Sequence, residues 1–235
     1  MTNPALHHER QARLAALHER SLAAAMAHYD AKRHLIAMPA ADDPTIRTYR
    51  QAASLPLAYV LLSDDNPDSI EEGIAIVSAV LESQETDPDH PHHGNWRWLA
   101  DDPEVGDLNA VQFVLRGLLP AVLDHGDKIP ADLLNRCRHS VLIALAEEER
   151  INVAPTYTNI HIMSLFGLLV GAEWLLATPE IASQKPRHFL QLGKARWDRW
   201  VGFTIESGAP HEYNSPGYGG VDLSALAALC RYVQD

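Results

Sequence analysis

Thr158 to Ala177 constrains this chain more than any other stretch, because Ile160-His-Ile-Met-Ser-Leu-Phe-Gly-Leu-Leu-Val-Gly-Ala-Glu-Trp174 is apolar on nearly every side. A helix that is hydrophobic all round has to be buried, either in a large protein interior or in a bilayer. His161 and Glu173 shorten the unbroken apolar run well below the roughly 20 residues that a membrane span needs. The sequence therefore predicts a helix at the centre of a helical protein and no membrane partner.

The rest of the chain supplies helices to surround it. Pro4 to about His34 sets Leu6, Leu14, Leu17, Leu22 and Met26 at helical spacing, which predicts a long amphipathic helix packed on the surface. Asp42-Asp43-Pro44 offers a cap and a first-turn proline for a second helix running through Tyr49 and Leu57 to Leu62. Ser69 and Glu72 have capping-box spacing and open a third, which extends to Leu81. Leu108 to Leu123 and Pro130 to Ile151 read as two more, and the acidic run Glu147-Glu148-Glu149 reads as a solvated face. Thr178-Pro179-Glu180 caps a helix from Ile181 to Ile205, in which Trp197 and Trp200 share a face. A last helix opens at Asp222 and runs to Val233 with no stop signal, as expected of a piece of a longer protein.

No segment reads as a strand. The predicted fold is all-α, a single domain spanning 1–235 in which helical hairpins close into an incomplete (α/α) toroid, with inner helices sheathed by outer ones.

Two loops are too rich in chemistry to be plain connections. Glu85 to Gly106 contains His90, His92, His93, Asn95, Trp96, Arg97 and Trp98, and is long for a connection in a compact domain. Gly208 to Asp222 contains His211, Glu212, Tyr213, Asn214, Ser215 and Tyr218, and its two prolines and four glycines argue against a helix. The histidines alternate with prolines and fix no ligand geometry, so no metal and no cofactor are expected. Trp96 and Trp98 either stack on a ligand ring or plug the core. Arg97 has the planar fork that matches a carboxylate.

Charge narrows the partners. With 31 acidic against 19 basic residues and a net charge of -12, the chain is a poor nucleic-acid binder and would repel a highly sulfated polymer. The N-terminal residues lack an apolar signal core, which gives a cytoplasmic default, or a periplasmic or secreted location for a trimmed chain. Cys137 and Cys230 lie in apolar helical surroundings and are read as unpaired thiols.

Asn159, His161 and the 208–222 loop together supply the groups that elimination beside a uronic acid requires. The substrate carboxylate must be neutralised, the adjacent C5 proton removed, and a proton delivered to the departing O4. Asn159 suits the first task, with His161 sharing it or accepting a proton, and Tyr218 suits proton transfer. The plainer reading makes Asn159 and His161 caps of a buried helix.

Tyr157-Thr-Asn159-Ile-His161 and His211-Glu-Tyr-Asn-Ser-Pro-Gly-Tyr218-Gly-Gly-Val-Asp-Leu resemble segments of the heparinase II/III-like and alginate-lyase-like polysaccharide lyases. That resemblance implies an (α/α) toroid followed by a β-sandwich, with Asn159 as neutraliser and Tyr218 as proton carrier. His211, Glu212, Tyr213 and Asn214 would join Trp96 and Arg97 in holding an acidic oligo- or polysaccharide. The second catalytic histidine and the sandwich of those enzymes have no counterpart here. Hydrolysis by two of Glu206, Glu212 and Asp222 is the alternative chemistry, and a non-catalytic carbohydrate-binding or scaffold domain is the non-enzymatic one.

Overall fold

The computed structural model describes residues 4–179, 181 and 184–234. Among them are eight helical segments and one small sheet. The helices are α1 (Pro4–His28), α2 (Gln51–Ser63), α3 (Pro67–Glu82), α4 (Ala110–His125), α5 (Ala131–Ile151), α6 (Thr158–Leu176), α7 (Gln184–Ser207) and α8 (Pro216–Tyr232). The all-α expectation holds for the bulk of the chain.

Residues 29–50 depart from it. They form three antiparallel strands, β1 (Tyr29–Asp30), β2 (Leu35–Pro39) and β3 (Arg47–Arg50), with Ile36 opposite Arg50. Asp43 makes the turn: its Oδ1 accepts the Thr45 amide at 2.9 Å, so Asp42-Asp43-Pro44 is a hairpin corner and not a helix cap. Asp and Pro serve both purposes equally well, and burial of Leu35, Ile36 and Ala37 decides for the strand. The first helix therefore stops at His28, and it packs through Leu22 and Ala25 while Leu14 and Leu17 stay about half exposed. Helix α3 begins at Pro67, where the Asn66 side chain accepts the Asp68 amide, ahead of the expected Ser69 box. The Thr178-Pro179-Glu180 cap includes Glu180, which lies outside the described residues.

The long 85–106 loop is a pinned structure. Glu85 and Asn95 pair through a 2.8 Å backbone bond, and Asn95 is wholly buried, its Oδ1 accepting the Trp96 and Val111 amides. Gly94 has φ +96, and a Cβ there would fall 2.2 Å from the Ile143 carbonyl, so this corner requires glycine.

Helix α6 occupies the interior, and every residue from Thr158 to Ala172 is buried. Gly167–Gly171 widens into a π-turn, and a Cβ on Gly167 would meet Leu115 Cδ1 at 2.9 Å, so the missing side chain lets α6 approach α4. Burial of its polar face draws partners inward. Ser164 Oγ and Gln112 Nε2 donate to Glu148 Oε2 at 2.6 and 3.0 Å, and Arg196 Nη1 donates to the Glu148 carbonyl at 3.0 Å. Only Glu149 of the acidic run is a solvated face: Glu147 and Glu148 are 2% and 0% exposed. Glu147 is held by Arg150 and Asn95.

Burial pushes the Glu148 carboxyl up to about 7, against the pull of Ser164, Gln112 and Arg196. Its Oε1 has no hydrogen-bond partner, so a full negative charge on that oxygen would go uncompensated. The folded state then keeps a proton that the unfolded chain, with a carboxyl pKa near 4.3, has already released. Stability from this group is full below the unfolded value and is lost as pH rises through about 7. Denaturant titrations should show unfolding free energy falling by on the order of 3 kcal/mol from pH 4.5 to 7.5. Glu148→Gln, which mimics the neutral acid, should flatten that slope.

Candidate functional site

The N-terminus of α6, the 208–215 loop and the first turns of α8 meet at one surface. Tyr157 leaves α6 without a side-chain cap, and the Asn159 amide instead donates to Glu212 Oε2 at 3.0 Å. A carboxylate at a helix N-terminus meets both unpaired N–H groups and the positive end of the dipole. Glu212 itself adopts φ +66, a left-handed conformation that costs a non-glycine residue about 1 kcal/mol or more. Its bond to α6 offsets that strain. A 2.8 Å bond from the Ser215 amide to the Glu212 carbonyl closes the turn.

Ser215-Pro216 then starts α8: the Ser215 side chain accepts the Tyr218 amide at 3.3 Å, and Pro216 occupies the first turn. Helix α8 therefore begins six residues before Asp222, inside the stretch whose prolines and glycines argued against a helix. Proline is well placed in a first turn, and packing of Ala225 and Leu229 into the core stabilises what glycine weakens.

This geometry separates the residues singled out by sequence. Tyr213 and Tyr218 are 71% and 47% exposed, His211 and Asn214 are exposed, and Glu212 is half-buried. His211 lies against the Phe203 ring, with centroids 4.9 Å apart. Asn159 and His161 face inward at 2% and 1% exposure. The His161 Nδ1–H donates to the Val153 carbonyl at 2.9 Å, and burial pushes the imidazole pKa down. Asn159 reaches the surface cluster through its backbone N–H, and His161 is a neutral core histidine. Trp96 is 0% exposed and donates from Nε1 to the Val80 carbonyl, so it offers no ring face to a ligand. Arg97 lies on a separate cavity with Arg50 and Arg116.

Other groups join the cluster. Asn109 Nδ2 donates to the Tyr157 hydroxyl at 3.4 Å. Burial first, then the electrostatic influence of Tyr218, Asp107 and Glu212, raises the Tyr157 pKa. Asp222 stands one turn beyond Tyr218 on α8, nearly buried, with Oδ1 unpartnered. Burial first and Glu212 second push its carboxyl pKa up. Sequence reasoning missed Tyr157, although it opens the Tyr157-Thr-Asn159-Ile-His161 run. Its partner Asn109 comes from a distant segment and gave no local signal. Among the described residues no three His, Cys, Asp or Glu side chains gather closely enough to hold a metal ion.

A family model described as Domain of unknown function (DUF8769) matches residues 15–235. No curated protein and no solved structure matches the chain.

Glu212→Ala removes the acceptor for the Asn159 amide. Loss of such a cap costs about 1 kcal/mol, which should lower the melting temperature of a chain this size by roughly 2–4 °C. The exposed Tyr218→Phe should change it by less than about 0.5 kcal/mol. Thermal denaturation of both variants checks the contrast.

Proposed function

The chain belongs to the DUF8769 family, and from its own side chains we propose that it cleaves a glycosidic bond in an acidic saccharide. The cleaving groups are those at the mouth of α6. The observation that carries this reading is two neighbouring carboxyls in unlike surroundings: Asp222, pushed toward its neutral form by burial and by Glu212, beside Glu212, held at a helix N-terminus. Neighbouring acids whose environments differ in this way divide into a proton donor and a proton acceptor. Asp222 gives its proton to the glycosidic oxygen as that bond breaks. Glu212 takes a proton from the water whose oxygen bonds to the anomeric carbon. The exposed rings of Tyr157, Tyr213 and Tyr218 offer faces for sugar rings around the pair.

β-Elimination is the second reading, favoured by Tyr218: an exposed phenol delivers a proton to a leaving oxygen without help. It is weakened by the sealing of the Asn159 amide from substrate. Consecutive packing of α2 on α3 and of α4 on α5 supports the accompanying view of the helices as part of an incomplete (α/α) toroid.

Incubation with uronate-containing polysaccharides should yield new reducing ends without the near-ultraviolet absorbance of an unsaturated uronate. Glu212→Gln and Asp222→Asn should each lower kcat/KM about 100-fold or more, the usual scale of a lost acid or base. Tyr218→Phe should retain most activity, and rates should fall as rising pH deprotonates Asp222. Ultraviolet-absorbing product that disappears with Tyr218→Phe would establish elimination instead. Binding without turnover by the wild type would leave a carbohydrate-binding domain.

A further inference from the structure

A second recess lies between α2, α4 and the 97–98 segment, with a volume of about 360 Å³. Its lining contains Arg50, Arg97 and Arg116 and no acidic side chain. That is unexpected in a chain of net charge -12. Among the described residues none of the three arginines has a carboxylate within 4.0 Å, although eight other basic groups do.

The cations are held without being neutralised. Arg116 spends one N–H on Ser224 Oγ at 2.5 Å, and its guanidinium is otherwise desolvated with no compensating charge. Arg97 has a buried Nε without an acceptor. Its carbonyl is taken by Gln51 Nε2, which fixes the backbone from which the Arg97 side chain extends. Gln51 is 1% exposed, and its Oε1 lacks any donor. The rest of the lining is apolar, and in it Trp98 and Phe113 pack edge to face with centroids 5.6 Å apart. The floor is rigid, because a Cβ on Gly117 would lie 2.6 Å from Leu55 Cβ and its absence lets α4 close on α2.

We propose that this recess binds a carboxylate carried on a hydroxylated ring, a uronic acid residue. Guanidinium forks match a carboxylate in shape and charge. Trp98 and Phe113 take the ring face, and Gln51, which lines the recess with an unpartnered oxygen, is an acceptor for a sugar hydroxyl, a donor that a simple aromatic acid lacks. The volume falls within the 300–1,000 Å³ range of small-molecule sites. The recess and the Glu212 cluster both border α4 and α8: Asn109 reaches Tyr157 at the start of α4, Phe113 and Arg116 follow on α4, and Ser224 follows Tyr218 on α8. The identity of the ring rests on the acidic-saccharide reading; the existence of an anion site does not.

The test uses the full chain and ligands that need no cleavage. Amide and indole NMR shifts are followed during titration with D-glucuronate, D-glucose, benzoate and inorganic phosphate. Glucuronate should shift the Trp98 indole N–H and bind at least tenfold more tightly than glucose or benzoate. Arg97→Ala and Arg50→Ala should each weaken it about tenfold or more, the scale of one lost charge-assisted contact. Both arginines are only partly buried, and an unchanged melting temperature certifies each variant as folded. Arg97→Lys should not restore affinity, since a point charge lacks the fork.

Failure of all three anions to bind would overturn the site. Equal binding of benzoate and glucuronate, or tighter binding of phosphate, would overturn the uronate assignment. None of these results touches the reducing-end assay, so loss of this site and loss of the Glu212–Asp222 chemistry are separable.

Discussion

Burial of α6 from Thr158 to Ala172 is the constraint from which the rest follows. A helix sealed on all sides takes its polar side chains inside, and each buried polar atom that stays unpaired costs about 1–3 kcal/mol. Ser164 is met by Glu148, Glu148 also by Gln112, and the Glu148 backbone by Arg196, so three further helices contribute polar groups to the same interior. The glycines at the π-turn let α4 and α5 close around it. The result is a core with a protonatable acid at its centre.

The same helix creates the surface site. Its N-terminus reaches the surface where Tyr157 offers no cap, and the backbone N–H of Asn159 binds Glu212 from fifty-three residues away. That bond holds Glu212 in a left-handed conformation, turns the chain into Ser215-Pro216, and sets the first turns of α8 against α6. Tyr218 and Asp222 follow on one face of α8, so the position of each proposed proton-transfer group traces back to the start of one buried helix. Charge also differs between the two places: under the proposed function a substrate carboxylate would be repelled beside Glu212 and Asp107 and attracted beside Arg97 and Arg116.

Several local patterns were legible and others had two meanings. The 3.6-residue period placed α4, α5 and α6 closely, since long periodic segments leave few alternatives. Asp42-Asp43-Pro44 fits a helix start or a hairpin corner, and only pairing of β2 with β3 selects the corner. Ser215-Pro216 fits a reactive loop or a helix cap, and packing of Ala225 and Leu229 selects the cap. Glu147-Glu148-Glu149 looked solvated by charge alone. The spacing Cys137, Val141, Ala144 and Glu148 nevertheless continues the buried stripe of α5, a signal that was present and outweighed by the cost of burying an acid.

Sequence alone determined the helical class, the buried centre at 158–176 and the two segments where polar chemistry concentrates, because periodicity and composition are local properties of the chain. Tertiary structure alone decided which of those polar groups face solvent. It turned Asn159, His161 and Trp96 inward, and it brought Glu212 to Asp222 and Arg50 to Arg97 and Arg116. The physical reason is that a side chain's exposure and charge environment are set by neighbours distant in sequence, and no residue's identity records which neighbours those are.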